Sequence, residues 1–336
     1  MKEEKEIFII AEISANHNND LNLALRTIEA IATTGADAVK VQTYTADSLT
    51  LDVDSDLFMA RKGSLWEGRR LYDLYQEASL PYEWHAELKA HTEKFGMEFF
   101  SSPFDFEAVD LLESMDVPRY KIASFEITDI PLIAYTASKG KPIIISTGVA
   151  SLADIELAVQ TCRNVGNDDI TLLKCTSEYP ASADIANLLT IPNLRDTFGV
   201  KVGVSDHTMG STVPVVAVTL GARVVEKHFI LDRSLGGPDA AFSMEPQEFK
   251  EMVDAVRDAY LSLGSIGYSL SEKNMLRRRS LFISQDIKAG DTITKDNIKS
   301  VRPGHGLHPK YYEDVLGLTA RKDLSKGTPL SLEDLN

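Results

Sequence analysis

Eight short apolar segments, separated by segments of helical periodicity, constrain the fold of residues 1 to about 263. Each apolar segment is rich in Val, Ile and Phe, as β-strands are. They are IFIIAEIS (7–14), DAVKVQTY (37–44), EFFSSPF (98–104), RYKIAS (119–124), PIIISTG (142–148), ITLLKCTS (170–177), KVGVSDH (201–207) and RVVEKHFIL (223–231). Such alternation indicates right-handed βαβ units around a parallel sheet.

The segments between the predicted strands carry helix signals. SLADIELAVQTCRNVG opens on a Ser-x-x-Asp capping pattern and closes on glycine. Eight βα units in about 260 residues match a (β/α)8 TIM barrel in count and size. A doubly wound open sheet is the alternative. It is disfavoured because no glycine-rich phosphate fingerprint follows the first strand.

One connection, residues 45–68, is much longer than the usual βα loop. Loops of this length in compact domains are usually functional or disordered. The Leu, Phe and Met side chains of this segment, together with Trp66, favour a packed lid.

The chain is predicted to divide into a catalytic barrel (1–264), a polar linker (265–279) and a small β domain (280–336). The small domain contains an internal echo, because DIKAGDTITKDNI (286–298) resembles DLSKGTPLSLEDL (323–335). Each copy is predicted to form a strand, a Lys/Gly turn, a second strand and an acidic turn. The echo indicates a pseudo-duplicated core.

The composition of the chain argues against some classes of binding partner. A formal charge of −15 argues against nucleic acid and anionic membranes. No run approaches 18 uncharged apolar residues, and no signal peptide is evident, so a membrane partner is not expected. The two cysteines, Cys162 and Cys175, lack metal-type spacing and fit a reducing compartment as packing residues. The predicted location is the cytoplasm.

Polar side chains cluster where the predicted strands end, and active sites of TIM barrels lie at that face. They are Glu12, Lys40, Gln42, Ser101, Ser102, Lys121, Ser124, Ser146, Thr147, Thr176, Ser177, Ser205, His207, Glu226 and His228. Lys40 and Gln42 lie two positions apart, so both should point to the same face, as should Glu226 and His228. Lys40 and Lys121 would otherwise stand unpaired in the barrel, which favours a pocket for a doubly anionic small molecule.

Two histidines follow on successive strands, His207 and His228. Two imidazoles with open positions suit Mn, Fe, Co or Zn and leave room for substrate oxygens. Asp206 is a candidate to support such a site. His85 and His91 are predicted to be surface residues, whereas His17 remains ambiguous.

The motifs AEISANH, VKVQTY, SSPF, YKIASFE, IISTG, KCTSEYP, SDHT, EKHF and RPGHG, in this order along almost the whole chain, resemble the sialic acid synthase family. Members of that family join phosphoenolpyruvate to an N-acetylated sugar aldehyde and release phosphate. They pair a (β/α)8 barrel with a small carboxyl-terminal domain that resembles type III antifreeze protein, the SAF domain.

The resemblance implies roles for particular residues. It implies a catalytic divalent metal on His207 and His228, typically Mn²⁺, with Mg²⁺ or Co²⁺ as alternatives. It implies phosphoenolpyruvate binding by Lys40, Lys121, Ser102, Ser124, Ser146 and Ser205, with Ser177 nearby. It implies sugar-side roles for Glu12, Gln42, Glu126, Tyr179 and Asp239. Arg302 would reach the barrel of a partner subunit in a domain-swapped homodimer. Ser102 and Ser177 stand where some members carry Thr and Asn.

Within the family, LWEGRRLYDLYQEASLPYEWH, SLTLD and RPGHGLHPKYY resemble the pseudaminic acid synthases. The implied sugar is 2,4-diacetamido-2,4,6-trideoxy-L-altrose. The implied mechanism has carbon 3 of phosphoenolpyruvate attack a metal-polarised aldehyde, with Lys121 holding the anion and Glu126 helping water add at carbon 2.

Several alternatives stay open from sequence. The sugar could be that of an N-acetylneuraminate or legionaminic acid synthase, or a phosphorylated sugar as in other phosphoenolpyruvate–aldose synthases. An inactive barrel with a glycan- or protein-binding small domain, and a monomer in which Arg302 serves its own chain, are further alternatives.

Overall fold

The computed structural model describes residues 7–336. Contacts divide the chain into two compact units, Met1–Gly264 and Ser265–Asn336. Residues 1–6, which begin the predicted barrel domain, lie outside the described residues.

The first unit is built on a closed barrel of parallel strands in chain order, β1 to β8. The strands are β1 Phe8–Glu12, β2 Ala38–Thr43, β3 Glu98–Pro103, β4 Tyr120–Ile122, β5 Ile143–Ser146, β6 Ile170–Cys175, β7 Lys201–Asp206 and β8 Val224–His228. Closure is made by β1, which pairs with β2 on one side and β8 on the other. The predicted TIM barrel is confirmed, and closure excludes an open doubly wound sheet.

Helices surround the barrel. They are α1 Leu21–Ala32, α2 Ala46–Leu49, α3 Leu71–Ala78, α4 His85–Lys94, α5 Phe106–Ser114, α6 Ile130–Ala137, α7 Leu152–Asn164, α8 Thr190–Phe198, α9 Thr212–Thr219 and α10 Pro246–Leu263. Single 3₁₀ turns occur at Asp56–Phe58, Tyr82–Trp84, Ser124–Glu126, Ala183–Ile185, Arg233–Leu235 and Ala240–Phe242. Helix α7 begins at the predicted cap, where Ser151 and Asp154 form a reciprocal capping box.

The hydrophobic core of the first unit follows from the periodicity of its helices and of its strands. Helix α1 buries Leu23, Ile28 and Ile31, which recur at helical spacing on one face. Strand β5 is buried along its whole length, as expected for a parallel strand covered by helices. Each fully buried Ile or Leu contributes about 1.5–3 kcal/mol relative to an exposed one.

The predicted location of two histidines on α4 is wrong. His85 is fully buried, and its Nε2 lies 2.7 Å from Thr43 Oγ1. Thr43 Oγ1 in turn lies 2.6 Å from Ser101 Oγ, so Ser101 faces the surrounding helices and not the barrel interior. His91 is half-buried and lies 3.3 Å from Glu29 Oε1. Alternation along β3 therefore leaves Ser102, not Ser101, on the inner face.

The second unit contains the antiparallel strands β9 Ser280–Ile283 and β10 Ile298–Val301, with helices α11 Glu272–Leu276 and α12 Tyr312–Val315. Its 3₁₀ turns are Pro309–Tyr311 and Leu332–Asp334. Equivalent positions of the two sequence echoes share one core: Ile287, Ile293 and Ile298 with Leu324, Leu330 and Leu335. The echo is therefore structural, although isolated bridges such as Ile287–Leu324 replace most of the predicted strands.

Among residues 7–336, no helix combines the length and the apolar character needed to cross a membrane.

Candidate active site

The carboxyl ends of the barrel strands bring most of the predicted site residues together. In the strand register, Glu12 lies opposite both Lys40 and His228, and Ser205 lies opposite Glu226. Gln42 lies opposite Ser102. Because inward positions alternate with outward ones, these residues share the inner face of the barrel.

Two lysines and two glutamates form a buried charge cluster on that face. Lys40 is ion-paired with Glu12, and its Nζ lies 3.9 Å from Glu226 Oε2. Lys121 Nζ lies 3.3 Å from Glu226 Oε1. The premise that these lysines would stand unpaired without a bound anion is therefore wrong: each ammonium group has a carboxylate partner. We call these four residues the charge cluster.

Hydroxyl groups extend the charge cluster. Lys40 Nζ donates to Ser102 Oγ at 3.3 Å, and Ser205 Oγ donates to Glu226 Oε1 at 3.0 Å. Burial raises the pKa of Glu12 to about 7, with Glu226 adding to the effect against the opposing charge of Lys40. Burial and Lys40 lower the pKa of Lys121, although Glu226 opposes them. The cluster therefore contains a carboxyl group that can take up a proton near neutral pH.

A second group of polar atoms lies at the ends of β4, β5 and β6. Ser177 Oγ donates to Ser124 Oγ at 3.0 Å, and Cys175 Sγ lies 3.7 Å from Ser177 Oγ. Ser146 Oγ is buried and has no hydrogen-bond partner in the described chain. A buried hydroxyl without a partner costs free energy, which a ligand oxygen placed there would recover.

The absence of a side chain at Gly148 leaves space for the hydroxyl groups of Ser124 and Ser177. A Cβ at position 148 would meet Ser177 Oγ at 2.2 Å, Ser124 Oγ at 2.6 Å and Cys175 Sγ at 3.1 Å. Gly148 is therefore needed for space, not for its backbone conformation.

The family resemblance implies that these hydroxyls bind phosphoenolpyruvate, so we expect Gly148→Ala to raise the KM for that anion about ten- to a hundred-fold, because the new methyl group displaces both serine hydroxyls. Steady-state kinetics measures this effect. Gly267→Ala is the matched control, since Gly267 has no positive φ and a Cβ built there meets only the Ser265 carbonyl oxygen, at 4.0 Å. An unchanged KM in Gly148→Ala would show that Ser124 and Ser177 do not contact the anion.

The two predicted histidines lie side by side, with ring centroids 5.3 Å apart. His207 Nδ1 lies 2.8 Å from the carbonyl oxygen of Thr176. A carbonyl only accepts, so Nδ1 carries a proton and a metal would be held through Nε2. Burial lowers the pKa of His207, but Cys175 and the Thr176 carbonyl outweigh burial and raise that pKa overall. Burial and the neighbouring His207 lower the pKa of His228 well below its ordinary value, which keeps that imidazole neutral.

This pair fits a divalent metal. His228 Nδ1 is buried without a hydrogen-bond partner, and Asp239 Oδ2 lies 3.9 Å from it. Within residues 7–336, no three His, Cys, Asp or Glu side chains stand ready as a complete metal site. The two imidazoles, which bind metals in their neutral form, could hold a metal whose remaining positions are filled by substrate oxygens and water.

Asp206, the candidate to support the histidine pair, is held by Lys227 and Thr208. Its carboxylate accepts from Lys227 Nζ at 2.6 Å and from the Thr208 backbone N–H at 2.9 Å. Lys227 and Asp206 are both buried and lie opposite each other in the strand register. Each immediately precedes one of the two histidines, so the pair joins β7 and β8 just before His207 and His228.

Aromatic side chains cover the histidine pair. The Tyr179 ring lies 4.4 Å from His207 and 5.1 Å from Phe242, and the Phe242 ring lies 5.0 Å from His228. Asp239 is buried nearby and accepts from the Ala15 backbone N–H at 3.3 Å. Burial raises the pKa of Asp239.

Glu126 lies at the end of the 3₁₀ turn after β4. Its Oε2 is buried without a hydrogen-bond partner among the described residues, and burial raises its pKa to about 7. This combination suits a group that exchanges protons at neutral pH.

Other predicted residues are placed as follows. His17 is buried, its Nδ1 accepts from the Asn19 backbone N–H at 3.1 Å, and burial lowers its pKa to about 4. Arg302 belongs to the second unit, on the exposed loop after β10.

Sequence patterns gave no role to Tyr44, Lys227 and Phe242, and they placed Trp66 only in a packed lid. Tyr44 is buried at the mouth of the barrel, with its ring 5.1 Å from Phe104. Trp66 donates its indole N–H to the carbonyl oxygen of Pro238 at 3.1 Å. The residues without a predicted role also include Phe242 and Lys227, which the pattern of β8 places on the outer face. The position of Tyr44 directly after VKVQT was the one available signal.

A closed (β/α)8 barrel that buries paired lysines and carboxylates beside two adjacent imidazoles defines an enzyme of the TIM-barrel class. The model of the NeuB family matches residues 27–268, and that of the SAF domain matches residues 278–336. The chain belongs to the NeuB family, with a carboxyl-terminal SAF domain.

Individual relatives of the chain agree with these family matches. A pseudaminic acid synthase of Helicobacter pylori is 50% identical over 331 residues, covering 97% of both chains. An N,N'-diacetyllegionaminic acid synthase of Legionella pneumophila is 40% identical over 336 residues, covering 98% of this chain and 94% of its own. The solved N-acetylneuraminic acid synthetase of Leptospira borgpetersenii is 33% identical, with a TM-score of 0.71 over 80% of this chain and 89% of its own. The resemblance to the sialic acid synthase family, and to its pseudaminic acid branch, is confirmed.

Proposed function

We propose that the protein is a pseudaminic acid synthase. It would condense phosphoenolpyruvate with 2,4-diacetamido-2,4,6-trideoxy-L-altrose and water, giving pseudaminic acid and phosphate. The observation that carries the reaction type is the charge cluster, with its adjoining hydroxyls, next to the paired imidazoles of His207 and His228. The 50% identity to a pseudaminic acid synthase over nearly the full chain supports this sugar.

Phosphoenolpyruvate would bind at the charge cluster. Lys40 and Lys121 supply two positive charges, and the hydroxyls of Ser102, Ser124, Ser146, Ser177 and Ser205 supply adaptable donors. Glu12 and Glu226 neutralise the lysines before the anion arrives. Because the pKa of Glu12 is about 7, Glu12 can accept a proton when the anion binds, which frees Lys40 for the ligand.

The sugar aldehyde would lie between the charge cluster and the histidine pair, with Gln42, Tyr179 and Asp239 around it. A divalent metal held by His207 and His228 would act there as a Lewis acid. We propose Mn²⁺, with Mg²⁺ or Co²⁺ as alternatives.

The protein's own residues would orient the two substrates and transfer protons. Lys40 and Lys121 hold the anion so that its carbon 3 faces the aldehyde carbon, and the new C–C bond forms between these atoms. The aldehyde oxygen takes a proton and becomes a hydroxyl group. Water adds at carbon 2 and passes one proton to Glu126, which balances the proton taken up by the aldehyde oxygen. As the C–O bond to phosphate breaks, the hydroxyl group at carbon 2 passes its proton to the departing phosphate and becomes a ketone.

The test is phosphate release from phosphoenolpyruvate with Mn²⁺, comparing the trideoxy altrose with N-acetylmannosamine. We expect kcat/KM to be at least about a hundred-fold higher for the first sugar. Preference for N-acetylmannosamine would contradict the proposed sugar and leave the reaction class standing. If no phosphate is released with either sugar or with a phosphorylated aldose, the alternative of an inactive barrel with a glycan- or protein-binding small domain would be favoured.

The pH dependence tests Glu126. As a base it must be ionised, so kcat should rise with pH through about 7 and level off above it. Glu126→Gln should lower kcat about a hundred-fold or more and remove this limb. The effect on stability has the opposite sign: the raised pKa favours the protonated native state, so stability is lost as pH rises through about 7. Glu126→Gln should therefore melt higher than the wild type above pH 7. An unaltered pH limb would assign the water-activating role to another group.

We also propose that the enzyme is a domain-swapped homodimer in the cytoplasm, in which Arg302 completes the partner's site. The linker side chains Ile266 and Tyr268 are each 95% exposed in the single chain, which a partner subunit would cover. Both cysteines are free and buried, which suits a reducing compartment.

Complementation between two inactive chains tests this assembly. Co-expressed Arg302→Ala and His228→Ala chains form mixed dimers, and in each one barrel has intact histidines and receives Arg302 from its partner. Random pairing should restore about a quarter of wild-type activity. No restoration in mixed dimers of verified composition would show that Arg302 serves its own chain, and a monomer in light scattering would reject the dimer itself.

A further inference from the structure

Residues 59–70 form a hairpin over the barrel mouth, which we call the hairpin lid. It is closed by the antiparallel bridge between Met59 and Arg70 and by the Ala60 N–H, which donates to the Arg69 carbonyl at 2.8 Å. Leu65 at its tip is 51% exposed. Ion pairs of Arg69 with Glu77 and of Arg70 with Asp52 lie at the surface. Exposed side chains and surface ion pairs are typical of segments with low local stability.

Trp66 connects the hairpin lid to two other loops of the mouth. Its indole N–H donates to the carbonyl oxygen of Pro238, which precedes the buried Asp239. Its ring lies 6.1 Å from the ring of Tyr179, which lies 4.4 Å from His207. A single side chain therefore joins the loops after β2, β6 and β8, next to the aromatic cover of the histidine pair.

We propose that Trp66 is a specificity-determining residue that closes the hairpin lid over the sugar. This inference rests on the proposed function. Tyr179 and Trp66 would present an apolar wall to the end of the sugar away from the aldehyde, where a 6-deoxy sugar carries a methyl group. An indole face packs well against a methyl group and poorly against a hydrated hydroxyl, because the hydroxyl would lose its water without gaining a partner. The Pro238 hydrogen bond holds the indole in the orientation that makes this contact.

Substitutions separate the ring from the hydrogen bond. We expect Trp66→Ala to raise the KM for the trideoxy altrose about ten- to a hundred-fold, while the KM for phosphoenolpyruvate changes less than about two-fold. The preference over N-acetylmannosamine should fall about ten-fold. Trp66→Phe keeps an aromatic ring but loses the indole N–H. Its KM for the trideoxy altrose and its sugar preference should therefore lie between those of the wild type and of Trp66→Ala. Leu65→Ala is the matched control on the same lid and should behave as wild type. Equal changes in both KM values, or an unchanged sugar preference, would overturn the proposal.

Fluorescence gives a readout that is independent of turnover. The sequence has two tryptophans, so Trp84→Phe leaves Trp66 as the single reporter. The probe is the alditol of the trideoxy altrose, which lacks the aldehyde and cannot react, added with phosphoenolpyruvate. We expect a blue shift and altered intensity of Trp66 emission with both ligands, and little change with phosphoenolpyruvate alone.

The outcomes separate two failures. If the alditol inhibits competitively against the sugar but leaves Trp66 emission unchanged, the role of Trp66 is wrong and the proposed function stands. If the alditol does not inhibit and the trideoxy altrose is not turned over, the proposed function is wrong, and the role of Trp66 falls with it.

Discussion

Replacing His228 with alanine is expected to lower kcat at least about a thousand-fold while leaving the fold intact. His228 ends β8, its Nδ1 has no hydrogen-bond partner in the described chain, and its ring lies beside His207. The variant thus removes a proposed metal ligand without orphaning a partner. Phosphate release measures the loss of activity, and circular dichroism with thermal melting measures the fold.

Mn²⁺ binding shows whether the loss has the proposed cause. Titration followed by electron paramagnetic resonance should show Mn²⁺ binding to the wild type and much weaker binding to His228→Ala. His91→Ala, a half-buried histidine on α4, should bind Mn²⁺ and turn over as wild type. The metal assignment would be wrong if His228→Ala kept more than about a tenth of wild-type activity with added Mn²⁺.

Replacing Lys227 with methionine is expected to lower the free energy of unfolding by about 3–5 kcal/mol. Both partners of the Lys227–Asp206 pair are almost fully buried, and Lys227 Nζ also donates to the Thr208 carbonyl at 2.5 Å. Removing the lysine leaves the Asp206 carboxylate buried without its counter-charge. Thermal melting of the barrel measures this loss.

The double variant distinguishes a buried charge from a packing defect. Lys227→Met with Asp206→Asn removes both charges, so much of the lost stability should return. Activity should recover less than stability, because the pair joins β7 and β8 directly before His207 and His228. Full recovery of both would show that the pair has no positioning role, and a double variant as unstable as the single one would rule out an unpaired charge as the cause.

Local patterns were sufficient for the barrel itself. The eight strands, the capping box of α7 and the inward direction of Lys40, Glu226 and His228 follow from period-two and 3.6-residue periodicities, which each segment carries in its own residues. The repeated core of the second unit followed from an echo in the sequence for the same reason.

Pairings across the barrel could not be predicted in this way. Sequence placed both lysines of the charge cluster inside and left them unpaired, because nothing local states that Glu12 adjoins Lys40. That neighbourhood exists only because β1 closes the barrel between β2 and β8. His85 was misassigned for a related reason, since its charged neighbours on α4 indicate a surface residue, whereas Thr43 of β2 supplies its buried partner.

The sequence by itself therefore determined the order of the elements, the face on which most polar side chains of the strands lie and the family to which the chain belongs. The tertiary structure alone decided the partner of each charge, the contact between Trp66 and Pro238, and the buried Lys227–Asp206 pair. Periodicity is a property of neighbouring residues, whereas these contacts join residues far apart in the chain that meet only when the barrel closes.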